Sequence, residues 1–178
     1  MFTQRPYWLF IPNLVSKTDC EAIKAKAHET GFAEVRHSNG TPRQNSTGSG
    51  ISLAGDLEPL QRIIKDAAQS AATVMDIAID DYLPARAMVM RYRKGEYYEV
   101  HTDHEPIQTN VFDKDHKVSL WLSLTDLGSL YIEGAGEMLG NAGDALVFTA
   151  LARHGAPVQN DTRERYTLIH AFRGPRWT

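Results

Sequence analysis

Apolar positions recur along this chain with two different periods. Between Glu58 and Met75, the residues Leu60, Ile63, Ile64, Ala67, Ala71 and Val74 fall at helical spacing, which predicts an amphipathic helix over that stretch. A shorter helix is predicted after Ser16, an N-cap residue with Asp19 in the place of a capping-box acid; Cys20, Ile23 and Ala27 supply its apolar face and Gly31 its stop. Beyond Pro84 the apolar residues gather in short runs punctuated by Gly, Asp, Asn and Pro. These predict strands at Ala87–Arg93, Tyr97–His101, Lys117–Thr125, Ser129–Ile132, Ala145–Thr149 and Arg165–Phe172. Tyr7–Ile11, closed by Pro12 and Asn13, reads as one more. Between the helices, Arg36 to Gly50 is rich in Ser, Asn, Gly, Thr and Pro and reads as a mobile loop, either an idle connection or a lid over a substrate. Two helices followed by a run of strands indicate an α+β domain with a β sandwich or barrel. We expect one domain over 1–178, with helical support over about 14–80 and a barrel over about 85–173.

Composition narrows the functional classes. The 178 residues suffice for one substantial core, and 42% hydrophobic with 23% charged residues is ordinary for a globular protein. A net charge of −3 without any run of Lys or Arg argues against nucleic acid as a partner. The single cysteine, Cys20, allows no internal disulfide, fits a reducing compartment, and reads as a small buried hydrophobe. Gln4, Arg5, Pro6 and Pro12 interrupt the N-terminal apolar residues, so no secretory signal is expected. No stretch approaches the roughly 20 apolar residues of a membrane span. The expectation is a soluble cytoplasmic protein whose oligomeric state the sequence leaves open.

The candidate chemistry lies in His101-Thr102-Asp103. In an extended strand residues two apart share a face, so His101 and Asp103 can reach one ion, and a third ligand must come from elsewhere. His154, in the turn Ala152–Pro157, is the best candidate. Two histidines and one carboxylate leave three positions of an octahedral ion open, which suits Fe(II) binding both an organic co-substrate and dioxygen. Arg165, just beyond His154, can hold an anionic co-substrate. The remaining histidines fit less well. His104 would face away from the pair, and His116 lies in the polar stretch Asp113–Lys117, which reads as a solvated turn. His170 is mid-strand and out of phase with Arg165, while His28 and His37 belong to the N-terminal helix and loop.

Several segments, in order, resemble the Fe(II)/2-oxoglutarate-dependent dioxygenases, most closely the prolyl 4-hydroxylase-like branch. They are Tyr92-Arg93-Lys94-Gly95-Glu96-Tyr97-Tyr98-Glu99-Val100-His101-Thr102-Asp103, then Gly143-Asp144-Ala145-Leu146-Val147-Phe148, then His154-Gly155-Ala156-Pro157-Val158, with Ile11–Ser16 resembling the branch's opening. The resemblance implies a double-stranded β-helix, a jelly-roll (cupin-like) barrel with supporting N-terminal helices. It implies Fe(II) on His101, Asp103 and His154, with 2-oxoglutarate and dioxygen as co-substrates and ascorbate as an accessory reductant. It places Arg165 with Thr167, or alternatively Arg163, on the far carboxylate of 2-oxoglutarate, where a guanidinium offers two parallel hydrogen bonds. Tyr92 would line the co-substrate pocket, Ser123 would offer it a second hydroxyl, and Trp121, in phase with Ser123, would floor it. Halogenating relatives carry a small residue where Asp103 stands, so the carboxylate implies hydroxylation. The pattern is departed from at Leu127-Gly128, where relatives have consecutive glycines, and at Asn141-Ala142, where the prolyl branch has a proline before its Gly-Asp.

The implied reaction is hydroxylation of an unactivated C–H bond. The prolyl branch acts on peptidyl proline, while similar small enzymes act on free amino acids or natural-product intermediates, so a peptide and a small-molecule partner both stand. Arg43, Arg91 and Arg93 are candidates for meeting a substrate carboxylate. Two readings of other classes compete: a zinc hydrolase using the same three ligands, and a non-catalytic jelly-roll binding module. The hydrolase would have no need of an Arg-x-Thr strand after the third ligand, and succinate release coupled to substrate would exclude the binding module.

Overall fold

Ser16 starts the first helix, α1 (Lys17–Thr30), with the capping box that the sequence predicts. The Asp19 backbone N–H donates to Ser16 Oγ (3.1 Å) and the Ser16 N–H donates to Asp19 Oδ2 (3.0 Å). In this computed structural model the described residues are 6–36, 42–53, 55–80, 86–104 and 115–177. α1 ends at Gly31, whose φ of 90° suits a residue without Cβ, and it buries Cys20, Ile23 and Ala27. The second helix, α2 (Glu58–Met75), has the predicted bounds. Its buried stripe runs through Leu60, Ile64, Ala68, Ala71, Ala72 and Met75, whereas Ile63 and Val74 are exposed.

Eleven strands are described: β1 (Trp8–Ile11), β2 (Ala33–Arg36), β3 (Pro42–Ser52), β4 (Arg86–Tyr92), β5 (Tyr98–His101), β6 (Asp115–Ser123), β7 (Gly128–Ile132), β8 (Gly136–Gly140), β9 (Ala145–Thr149), β10 (His154–Ala156) and β11 (Arg165–Gly174). They form a seven-stranded sheet in the order β1-β9-β6-β11-β4-β3-β2 and a four-stranded sheet in the order β5-β10-β7-β8. All pairings are antiparallel. This is the jelly roll of the expected α+β class.

Strand alternation divides the large sheet into two faces. Ala87 and Val89 of β4, Leu120 and Leu122 of β6, and Leu168 and Phe172 of β11 pack with the helices in the main core. Of these, Val89, Leu120, Leu122, Leu168 and Phe172 each contribute about 1.5–3 kcal/mol relative to exposure. The alternate residues turn into the barrel: Met90 and Tyr92 of β4, Trp121 of β6, and Leu146 and Phe148 of β9. Both faces being buried, these strands are legible as near-continuous apolar runs.

Three expectations are corrected. The segment read as a mobile loop from Arg36 to Gly50 is strand over Pro42–Ser52 in its described part, pairing β4 from Thr47↔Arg91 to Ser52↔Arg86. Its small residues have a packing cause. A Cβ on Gly48 would lie 2.9 Å from Met88 Sδ and 3.0 Å from Val35 Cγ2, and buried Ser49 donates to the Ala27 carbonyl (3.1 Å). Residues 37–41, with His37, lie outside the described residues. β8 was not expected, because its burial alternates only weakly and Leu139 is exposed. β10 was read as a turn, yet its three residues pair with both β5 and β7.

The two departures from the family pattern are accommodated locally. Leu127 takes the left-handed conformation (φ 64°) that a glycine would otherwise supply. Ahead of β9, Asp144 accepts from the Asn13 N–H (2.9 Å) and the Asn141 N–H (2.8 Å), tying the N-terminal segment to this turn. Beside it, a Cβ on Gly143 would fall 2.2 Å from the Val15 carbonyl oxygen.

Candidate metal centre

His154 sits directly opposite His101 in the β10–β5 pairing, so residues far apart in sequence become cross-strand neighbours. The chain leaves β5 at His101 and is anchored at once, the Asp103 and His104 N–H groups both donating to the Ala150 carbonyl (3.1 Å each). That anchor turns Asp103 back toward the two rings. His101 Nε2 lies 3.2 Å from Asp103 Oδ1, and His154 Nε2 lies 3.5 Å from Oδ2. One ligand atom from each residue falls within 4.8 Å of the others, and this is the only such histidine–carboxylate group among the described residues.

Both rings are oriented for metal binding. His101 Nδ1 donates to the Glu99 carbonyl (2.8 Å) and His154 Nδ1 to the Ala152 carbonyl (3.0 Å). Because a carbonyl only accepts, each Nδ1 carries the proton and each Nε2 presents its lone pair to the shared site. Tyr98 packs against His101 and Phe148 against His154, with ring centroids 4.7 and 4.5 Å apart. Burial pushes the His154 imidazole below its ordinary value despite the neighbouring Asp103, which favours the neutral ligand form. For Asp103, burial pushes the carboxyl up. The polar groups packed against it, His101 first and then His154, His116 and the Ser119 hydroxyl, outweigh burial and hold Asp103 well below the usual carboxylate range.

The three groups open into a cavity of about 280 Å³ between the sheets. Its wall is mainly apolar, with Val35, Met88, Met90, Trp121, Ile169 and Ala171 on the large-sheet side. Trp121 and Tyr92 also line it. His116 lines it too, which corrects its assignment to a solvated turn: Asp115–Lys117 opens β6, while 113 and 114 lie outside the described residues. His170 is buried and stacked on Phe172 at 4.9 Å, and His28 meets the Tyr166 hydroxyl (3.1 Å), both away from the cluster.

The two candidate arginines separate cleanly. Arg165 is 3% exposed, lies 4.7 Å over the Tyr92 ring, and donates to Ser129 Oγ (3.3 Å) and the Pro157 carbonyl (2.7 Å). Its Nε and the Thr167 Oγ1 two residues on are buried without a hydrogen-bond partner among the described residues. Arg163 is exposed and paired with Asp161 at 2.7 Å. Ser123 donates to the Thr125 carbonyl (2.7 Å), so its hydroxyl serves its own turn, although it pairs with Thr167 in register. Ser129, which no spacing singles out in the sequence, is the hydroxyl that meets Arg165.

Two of the candidate substrate arginines do not line the cavity. Arg91 stands over the Phe32 ring (4.4 Å) and donates to Thr47 Oγ1 (3.3 Å), on the helix side of β4. Arg93 is exposed and pairs with Glu164 (3.2 Å). The Arg43 side chain lies outside the described residues. No described helix is long and apolar enough to cross a membrane.

No protein-family model and no curated protein matches this sequence. Solved structures do match the fold. The Pseudomonas putida prolyl-4-hydroxylase superposes with a TM-score of 0.71 at 17% identity, over 94% of this chain and 93% of that one. The viral collagen prolyl hydroxylase of Paramecium Bursaria Chlorella virus-1, solved with 2-oxoglutarate, gives 0.68 at 16% identity over 94% and 96%. The non-haem α-ketoglutarate-dependent carbocyclase SnoK of nogalamycin biosynthesis gives 0.70 at 13% identity over 95% and 80%. The chain therefore has the double-stranded β-helix fold of these proteins.

Proposed function

We propose that this protein is an Fe(II)- and 2-oxoglutarate-dependent dioxygenase that hydroxylates an unactivated C–H bond, with peptidyl proline as its substrate. One observation carries the reading: a two-histidine, one-carboxylate cluster shares a barrel with a buried arginine and threonine whose Nε and Oγ1 have no partner among the described residues. Buried polar atoms are rarely left unpaired, and a carboxylate would meet both.

His101, Asp103 and His154 would hold Fe(II), which supplies the oxidising chemistry with dioxygen and 2-oxoglutarate when bound. Around it, the chain's residues bind and orient. Arg165, braced by Ser129 and Tyr92, would take the far carboxylate of 2-oxoglutarate, with Thr167 adding a hydroxyl donor. Arg163, committed to Asp161 outside the barrel, would take no part. Tyr92 and Trp121 wall the cavity and exclude water from the reacting centre. A zinc hydrolase would give the buried Arg165 and Thr167 no anion to meet.

The cavity favours an uncharged substrate group. Met88, Met90, Ile169 and Ala171 offer no described cation for a free amino acid's carboxylate, whereas a prolyl ring or an apolar carbon skeleton suits such walls. A hydrophobic small molecule is the second reading on the same observation, and SnoK shows that one member of this fold acts in natural-product biosynthesis.

The test is succinate formation from 2-oxoglutarate by metal-free protein reloaded with Fe(II) or with zinc. Proline-containing peptides, free amino acids and apolar small molecules would be compared, with mass spectrometry for the gain of one oxygen atom. Fe(II)-dependent succinate coupled to a peptide gaining oxygen is expected. Turnover with zinc alone, or no succinate with any substrate, overturns the proposal.

A further inference from the structure

Behind Asp103, on the side away from His101, stands a pair of residues that neither the ligand set nor the co-substrate pocket explains. Ser119 is completely buried on β6 and its hydroxyl contacts Asp103 Oδ2 closely. His116, three residues earlier and across a register shift in β6, places Nε2 3.0 Å from Ser119 Oγ and 3.1 Å from the Val118 carbonyl oxygen.

The direction of these hydrogen bonds follows from the Val118 carbonyl, which can only accept. His116 Nε2 therefore carries a proton, and the same N–H faces Ser119 Oγ, which accepts. The Ser119 hydroxyl hydrogen is then left to donate to Asp103 Oδ2. Proton donation thus runs one way, from imidazole to hydroxyl to carboxylate.

We propose that His116 and Ser119 are positioning residues that restrict Asp103 to binding its metal through Oδ1 alone. Oδ2 lies 3.5 Å from His154 Nε2 but already accepts the Ser119 hydroxyl, whereas Oδ1, 3.2 Å from His101 Nε2, accepts no hydroxyl and is the carboxylate atom left for a cation. A carboxylate gripping an octahedral ion through both oxygens would consume a position that a chelating co-substrate and dioxygen require. His116 acts at one remove, since its N–H keeps the serine hydroxyl from turning away.

The support behind the pair is itself fixed. The Trp177 backbone N–H donates to Asp115 Oδ2 (2.7 Å), its indole N–H donates to the His116 carbonyl (3.3 Å), and the Lys117 ammonium lies 3.5 Å from its ring centroid. The start of β6 is therefore clamped by the C-terminal segment. Residues that orient a ligand from behind are commonly worth about ten- to a hundredfold in metal affinity.

This inference rests on the assignment of Asp103 as a ligand, not on the oxidation chemistry. The experiment is an anaerobic titration of metal-free protein with Co(II), reading its d–d absorption, for wild type, Ser119→Ala, His116→Leu and His116→Gln. Thermal unfolding of each metal-free variant verifies its fold. Ser119→Ala and His116→Leu should weaken Co(II) binding about tenfold or more and change the absorption spectrum. His116→Gln, whose amide N–H can replace the imidazole donor, should restore both. Wild-type affinity and spectrum in Ser119→Ala or His116→Leu overturns the proposal, as does a His116→Gln protein as impaired as His116→Leu. A wild type that binds Co(II) but forms no succinate with Fe(II) would refute the oxygenase reading and leave this one standing.

Discussion

Arg165 and Tyr92 are direct partners across β11 and β4, and the guanidinium lies 4.7 Å over the phenol ring. Burial pushes the Tyr92 hydroxyl above its ordinary value even though the adjacent Arg165 charge opposes it, so the ring stays neutral under the cation. The pair fixes where a positive charge can stand inside the barrel, since Nη1 donates to Ser129 and Nη2 to Pro157 while Nε has no partner among the described residues.

Arg165→Ala should therefore raise the 2-oxoglutarate concentration needed for half-maximal succinate formation. A hydrogen bond to a charged group is worth about 1.5–3 kcal/mol, which corresponds to roughly ten- to a hundredfold. Arg163→Ala should leave that concentration unchanged, because its partner Asp161 is on the surface. The reverse ranking of the two variants in a co-substrate titration would reassign the anion site.

Removing any one of His101, Asp103 or His154 should abolish turnover and strip the protein of bound Fe(II) after desalting. Each substitution leaves the ion one protein bond short, and each residue here lies within reach of the other two. Iron content together with succinate yield checks this. A variant that keeps both would remove its residue from the ligand set.

The candidate cluster is legible in the sequence because it is chemistry at short range. His101 and Asp103 are two residues apart, and the segment after β9 holds His154, the third member of the cluster. α1 and α2 were legible for a similar reason, each being specified by its own cap or apolar stripe. What escaped the sequence is set by register between distant strands. Ser129 reaches Arg165 across 36 residues, and Ser119 reaches Asp103 across 16. His116 sits in a polar stretch that reads as solvated, yet β6 carries it to the cavity wall. Likewise β3 has the composition of a loop because Gly48 must pass beneath Met88 and Val35.

Gly155 links fold to site. A Cβ there would lie 2.8 Å from the Tyr98 carbonyl oxygen and 3.1 Å from the Glu99 carbonyl carbon, both backbone atoms of β5. Gly155→Ala must push β5 away from β10, and with it His101 away from His154. Stability should fall by about 1–3 kcal/mol, as for other overpacked sites. Fe(II) affinity should fall further than that loss of folding alone explains. Denaturant unfolding paired with metal titration separates the effects, and a variant with wild-type values for both would show that the two strands can part without cost to the site.

Tyr166 on β11 ties the stability of the fold to pH. Burial, aided by a close hydrogen bond from its hydroxyl to Glu164, pushes Tyr166 up to about 12 from an ordinary value of 10.0. The folded protein thus holds this proton more tightly than the unfolded chain does. The stabilisation it provides is complete below pH 10 and is lost as pH rises through about 12, because the unfolded state deprotonates first. Wild type should lose stability across that window more steeply than Tyr166→Phe, which has no proton to release there. Chemical denaturation at a series of alkaline pH values gives the comparison, and parallel curves for the two proteins would place the alkaline sensitivity elsewhere.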